Sequence, residues 1–192
     1  MNNQKEIFPL QIQWKKAREV ILFADLVNFF PLARKMTLDN LGSFMQGLYS
    51  FLGAEIQRRK GEVVSYVGDA ALGIFRVGDC NGMDPEWCAA LAAFHITKEV
   101  KKLGPDLEIN VAIHSGEVIE GRWEEQGREI RTVLGDVVNR TAVMVGGKLK
   151  GIHATQPIVD TLGPRVNKEK VGIRFPGCSE DEFVFRLTSL VL

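Results

Sequence analysis

Two aspartates stand where an apolar chain needs a reason to carry a charge. Asp25 closes the run Val20-Ile21-Leu22-Phe23-Ala24, and Asp69 opens onto Ala70-Ala71-Leu72-Gly73-Ile74-Phe75. A carboxylate at the edge of a buried strand is costly unless something neutralises it. Two such groups meeting in space repel each other unless a cation lies between them. Hard divalent ions that act on phosphates are held by one or two carboxylates together with the substrate's own oxygens. The pair therefore points to metal-assisted phosphoryl transfer. Taken singly, either Asp reads equally well as a turn or strand cap.

The elements that must position them follow from local pattern. Residues 18–27 are continuously apolar enough for a strand buried on both faces. Thr37-Leu38-Asp39-Asn40 starts a helix that runs to about residue 59 on a 3.6 period, and Lys60-Gly61 stops it. Strands are expected at 62–66 and 70–76 with Gly68-Asp69 as the hairpin turn. Asp84-Pro85-Glu86 opens a second helix to about residue 103, with Pro in the first turn. Strands at 107–114 and 117–123 follow, then an exposed loop or hairpin tip at 124–131. A helix at 137–148, a short strand at 152–155, a short helix at 157–162 and strands at 166–175 and 183–187 complete the chain. This order predicts an α+β fold, a ferredoxin-like βαββαβ core with a C-terminal extension. It reads as one domain over residues 1–192, with a polar N-terminal segment at 1–16.

Composition narrows the partners. Lys plus Arg is 24 and Asp plus Glu is 24, so nothing calls for a polyanion. No apolar run approaches a membrane span and no signal peptide is evident. Neither nucleic acid nor membrane is expected, and the cytoplasm is the expected location. Cys80, Cys88 and Cys178 lack metal-ligand spacing and read as free thiols of a reducing compartment. His95, His114 and His153 are dispersed and read as structural.

Four motifs then fall in one order. Phe23-Ala24-Asp25-Leu26, Gly68-Asp69, Val111-Ala112-Ile113-His114-Ser115-Gly116 and Thr132-Val133-Leu134-Gly135-Asp136-Val137-Val138-Asn139 together resemble the catalytic domain of class III nucleotidyl cyclases. The resemblance covers about residues 18–155. It implies that Asp25 and Asp69 hold two divalent ions, Mn²⁺ or Mg²⁺. One ion would help deprotonate the ribose 3′-hydroxyl of a nucleoside triphosphate, and the other would clamp the triphosphate. Backbone N–H groups of Leu26, Val27, Asn28 and Phe29 would cradle phosphate at the next helix start. Asn139 would position the ribose; its alternative is a helix-start Asn satisfying backbone amides. The family builds its site between two domains, so a head-to-tail homodimer with two equivalent sites is implied.

The departures from the family pattern are specific. Asn28 and Phe30 stand where Gly and Thr or Ser are usual, and Phe30 adds bulk to the pocket wall. The purine-reading Lys is replaced by Ser65, and its partner position falls at Thr132. The transition-state Arg is replaced by Val143. Arg140, one turn earlier, is a candidate substitute and otherwise a solvated helix residue. Arg131, Lys148 and Arg186 are further candidate phosphate partners. Tyr66 and Phe30 would fill a pocket shaped for a smaller base, although Tyr66 also reads as an ordinary strand residue. A lost purine reader beside retained metal ligands resembles the standalone pyrimidine cyclases of Pycsar anti-phage systems. That implies cyclic UMP, or cyclic CMP, as product. An adenylate or guanylate cyclase with other base contacts stays open. So does a degenerate nucleotide-binding or dimerisation module.

Overall fold

The computed structural model describes residues 11–146, 150–171 and 183–191. Lys148, Cys178 and most of the polar N-terminal segment lie outside the described residues. Strand β1 (Gln13–Leu26) runs through the middle of the sheet, and its last residues are buried on both faces as its unbroken apolar run requires. Helix α1 (Phe29–Ala33) is a single short turn that the sequence pattern did not indicate. Helix α2 (Leu38–Arg58) starts at Thr37, whose side chain accepts from the Asn40 N–H at 3.3 Å. Such a cap contributes about 1 kcal/mol. Leu48, Leu52 and Ile56, spaced by one turn, are fully buried beneath it. Each contributes about 1.5–3 kcal/mol by leaving water.

Strands β2 (Glu62–Val67) and β3 (Ala70–Phe75) form the expected hairpin, and helix α3 (Pro85–Glu99) carries Pro85 in its first turn. The buried face of α3 is rich in small residues, Cys88, Ala89, Ala92 and Ala93, which bring the helix axis close to the sheet. Strand β4 is one element from Ile109 to Glu125, without the break expected at Ser115-Gly116. Strand β5 (Arg128–Leu134) pairs back onto it around a tip at Gln126-Gly127, so the segment expected as a loop is mostly hairpin arm. Helix α4 (Asp136–Val145), strand β6 (Ile152–Thr155), helix α5 (Gln156–Leu162), strand β7 (Val166–Val171) and strand β8 (Val184–Leu190) follow.

The sheet order is β2-β3-β1-β4-β6-β8-β7, with β5 on the β4 edge. Its first four strands, all antiparallel, are the ferredoxin-like core, and β4–β6 is a parallel pair. One face of β1 presents Val20, Leu22, Ala24 and Leu26 to the helices, which form the main core with it. The other face presents Glu19, Ile21, Phe23 and Asp25. Over it the β4–β5 arm and α4 close a smaller cluster of Ile21, Leu72, Ile74, Val118, Val133 and Val137.

That second face also holds buried charge. Glu19 is 4% exposed and Glu120 is 7% exposed. Arg76 reaches Glu62 at 2.5 Å, Glu120 at 2.9 Å and Glu19 at 3.7 Å. Burial pushes the Glu19 carboxyl up to about 7; Arg76 and Lys15 pull it down, while a hydrogen bond to Glu120 and its charge hold it up. A carboxyl raised in the folded state contributes stability that is full below its ordinary range and is lost as pH rises through the folded value. Glu19→Gln, which keeps a donor for Glu120, is therefore expected to flatten the loss of melting temperature between about pH 5 and pH 8. At the upper end it should melt about 3–6 °C above the parent. Scanning calorimetry across pH checks this; identical profiles for the two proteins would remove Glu19 as the titrating group.

Candidate active site

Asp25 is the penultimate residue of β1, opposite Ala70 on β3 and Asn110 on β4. Asp69 lies in the two-residue turn between β2 and β3, after Gly68 with φ +58°. Left-handed backbone at this place favours glycine. The turn is pinned from the helix side. The Tyr49 hydroxyl donates to the Gly68 carbonyl at 2.6 Å, and the Tyr66 hydroxyl donates to the Tyr49 carbonyl at 3.0 Å. Their rings stack with centroids 4.3 Å apart. An α2 residue thus fixes where the turn carries its carboxylate.

The two carboxyl groups meet within hydrogen-bonding reach. Burial, the Asp69 charge and the Asp69 hydrogen bond push Asp25 up to about 6. Burial also raises Asp69, against backbone N–H groups, that of Leu26 among them, which stabilise its charge. Facing carboxyls of this kind share a proton unless a cation replaces it. Among the described residues no third His, Cys, Asp or Glu completes a ligand cluster with them. Two carboxylates without further protein ligands suit a hard divalent ion whose remaining ligands would be water and phosphate. Asn110, missed in the sequence, lies beside Asp25 in register. Its Oδ1 accepts from the Gly151 N–H at 3.0 Å, which ties β4 to the start of β6. Nothing in its local sequence marks it, because only the strand register makes it a neighbour of Asp25.

The other expected residues are distributed unequally. The β2–β3 register shifts between Val63 and Ser65, and this bulge turns Ser65 to the Asp25 face, opposite Leu72. Tyr66 consequently points to the helix side, against Tyr49. This contradicts its assignment to a base pocket and favours the ordinary strand role. Val27 donates its N–H to the Glu108 carbonyl at 2.9 Å, so it leaves the phosphate cradle. The Leu26 N–H faces Asp69. Asn28 takes a left-handed conformation, φ 57°, as N-cap of α1, and Phe29 and Phe30 begin the helix. Phe30 is 70% exposed, with the Arg34 guanidinium 5.6 Å from its ring centroid.

Thr132 lies opposite Gly121, where a side chain would meet the Thr132 methyl at 3.0 Å and the Trp14 ring at 2.6 Å. Its neighbour Val133 joins the cluster under the arm, so Thr132 faces the other way, and no described contact joins it to Ser65. Asn139 is exposed on α4, and Val143 is exposed one turn on. Arg140 is ion-paired with Asp136. No described contact brings Asn139 or Arg140 to the carboxyl pair. Arg131 binds Glu62 at 2.7 Å, and Arg186 lies 3.7 Å from Glu169. His153 is fully buried and neutral, lowered to about 4 by burial and by Arg186.

A ferredoxin-like core with paired carboxyls at one end of β1 and a hairpin arm beside it defines a nucleotide cyclase fold. The chain belongs to the adenylate and guanylate cyclase catalytic domain family, whose model matches residues 13–178. An adenylate cyclase of Anabaena cylindrica is 24% identical over 147 residues, covering 70% of this chain and 27% of that protein. The adenylyl cyclase CyaB of P. aeruginosa superposes with a TM-score of 0.83 at 17% identity, covering 92% of this chain and 96% of the other. The guanylate cyclase domain of RhGC from Catenaria anguillulae, in complex with GTP, superposes at 0.81 with 18% identity, covering 92% and 100%. The chain spans about a quarter of the length of the curated relatives it matches.

Facing carboxyls that repel when ionised give a direct stability test. In a chelator at about pH 8, Asp69→Asn is expected to melt about 2–5 °C above the parent, because it removes one charge and supplies a donor. Mn²⁺ is expected to raise the melting temperature of the parent and not of Asp69→Asn. An equal Mn²⁺ shift in both would show that the ion binds elsewhere.

Proposed function

We propose that this chain is a metal-dependent cyclase that converts a pyrimidine nucleoside triphosphate, UTP or CTP, into its 3′,5′-cyclic monophosphate and pyrophosphate. The observation that carries the reading is the meeting of the Asp25 and Asp69 carboxyls at the end of β1. Divalent ions at such a site lower the pKa of the ribose hydroxyl and neutralise phosphate charge. Asp25 and Asp69 would hold the ions. The N–H groups of Asn28, Phe29 and Phe30, which no described backbone acceptor takes, face phosphate at the start of α1. The 3′-hydroxyl gives up its proton to solvent, and its oxygen bonds to the α-phosphorus as the bond from that phosphorus to the bridging oxygen breaks. Pyrophosphate leaves with that electron pair.

Support for a pyrimidine comes from Ser65. The bulge directs it to the Asp25 face, at the position where the family carries its purine-reading Lys, and a serine hydroxyl is too short for that task. The same departure is the ground for placing the product in anti-phage signalling in the cytoplasm. Among the described residues no helix is long and apolar enough to cross a membrane. Support for a head-to-tail homodimer comes from Asn139, whose exposed place on α4 suits a partner's carboxyl pair. Arg140 remains the candidate phosphate-charge partner, after release from Asp136. The exposed Val143, in place of the family Arg, favours a second reading, a nucleotide-binding module without turnover.

Incubation with Mn²⁺ and each of ATP, GTP, CTP and UTP, with products identified by mass, is expected to yield cyclic UMP or cyclic CMP. A cyclic purine product would overturn the base assignment, and binding without turnover would favour the second reading. Asp25→Ala and Asn139→Ala should each lose more than about 100-fold in rate. Mixed and allowed to exchange, they should recover about a quarter of parental activity, since half the dimers are mixed and each carries one intact site. No recovery would rule out a site shared between subunits.

A further inference from the structure

Glu62 and Arg131 lie on strands that are not neighbours in the sheet. Strand β2 is at one edge, and β3 and β1 separate it from β4, to which β5 is paired. Yet Arg131 donates to Glu62 at 2.7 Å. The bond closes over the face of the sheet because the β4–β5 arm curls across it. Beneath lie Val133, Leu72 and Ile74. Arg76, at the end of β3, is the hub. It binds Glu62 at 2.5 Å on the β2 side and Glu120 at 2.9 Å on the arm side, while Glu19 of β1 lies 3.7 Å away. Burial opposes the charge on Arg76, but Glu120 and Glu62 more than offset it and hold the guanidinium firmly protonated. The ion set is therefore a cross-sheet fastening.

Its position relative to the site gives it a consequence. Glu62 lies three residues before Ser65, and the bulge brings both to the same face of the sheet. Arg131 directly precedes Thr132, and β5 leads through Gly135 into α4, which carries Asn139. A fastening between Glu62 and Arg131 therefore sets the span between β2, which carries Ser65, and β5, which leads into α4. Neither Glu62 nor Arg131 belongs to the carboxyl pair.

We propose that Arg76, Glu62 and Arg131 are positioning residues that clamp the β4–β5 arm to β2 and so fix the nucleotide-binding wall. The proposal rests on the cyclase reading only for its kinetic consequence. Its structural consequence is independent of turnover. Loosening the clamp leaves Asp25 and Asp69 in place at the far end of the hairpin, so binding is affected more than chemistry.

The test uses Glu62→Gln, Arg131→Gln and the double variant. Both side chains are about one-third exposed, so neither change strands a deeply buried charge. Arg76→Met, with Arg76→Lys as its rescue, is the harsher companion. Amide exchange over 128–134 is expected to speed up by about tenfold in Glu62→Gln and Arg131→Gln, with exchange over 48–56 unchanged. The double variant should be no faster than either single one, as a shared contact requires. With the nucleotide that the parent cyclises, KM should rise about fivefold while kcat stays within about twofold. Arg76→Lys should recover most of what Arg76→Met loses. Unchanged exchange in the arm would overturn the clamp. Faster exchange with KM unchanged, or with kcat falling alone, would overturn its role in positioning. A parent without cyclase activity would fail the cyclase reading, leaving the exchange result to decide the clamp.

Discussion

Two carboxyl groups held within bonding reach at the end of a buried strand are the constraint on which the rest of the structure depends. Held together, they favour a shared proton or a cation between them. The protein keeps them there by building each from a different element and stiffening both. Asp25 is carried by β1, the central strand, with antiparallel neighbours on both sides. Asp69 is carried by a two-residue turn that α2 holds through Tyr49. Neither backbone segment can move away from the other without breaking strand pairing or unpinning the turn. Burial raises both carboxyls, so ionising the two together is costly.

The two faces of the sheet divide the labour. The helix face supplies stability, with the large side chains of α2 and the small ones of α3 packed on β1 and β4. The other face carries polar groups in register, Glu19 and Asp25 on β1, Asn110 and Glu120 on β4, and Ser65 on β2. Each needs a partner there. Arg76 supplies it for the carboxylates at one end, and the opposite end is left to the carboxyl pair. The arm and α4 cover the middle with a small apolar cluster, and Asn139 is left pointing outward.

Pattern served best where one period ran uninterrupted. Helix α2, the β2–β3 hairpin and the apolar end of β1 were legible because burial on a face imposes its own spacing. Ser115-Gly116 misled as a break in β4, since strand pairing on both edges tolerates residues that look like a turn. The arm misled for the opposite reason. Its residues are charged because one side of it is exposed, and charge resembles a loop until Val133 is seen to pack inward. The ion network had no signature at all, because Glu19, Glu62, Arg76, Glu120 and Arg131 are scattered over more than half of the chain.

Some properties follow from local chemistry, and for those the amino-acid order was sufficient. Apolar runs ending in Asp, a Gly-Asp turn and four motifs in one order determined the α+β core and the family, and they singled out the two aspartates as candidates. Side-chain direction was decided only in three dimensions. One bulge in β2 reverses the strand's alternation, sending Ser65 to the site and Tyr66 to the helices, and alternation cannot be read through an inserted residue. The Val27 N–H is taken by Glu108, and Glu62 meets Arg131, because distant strands are brought together. Such pairings depend on sheet order and curl, which are properties of the assembled fold and not of any segment.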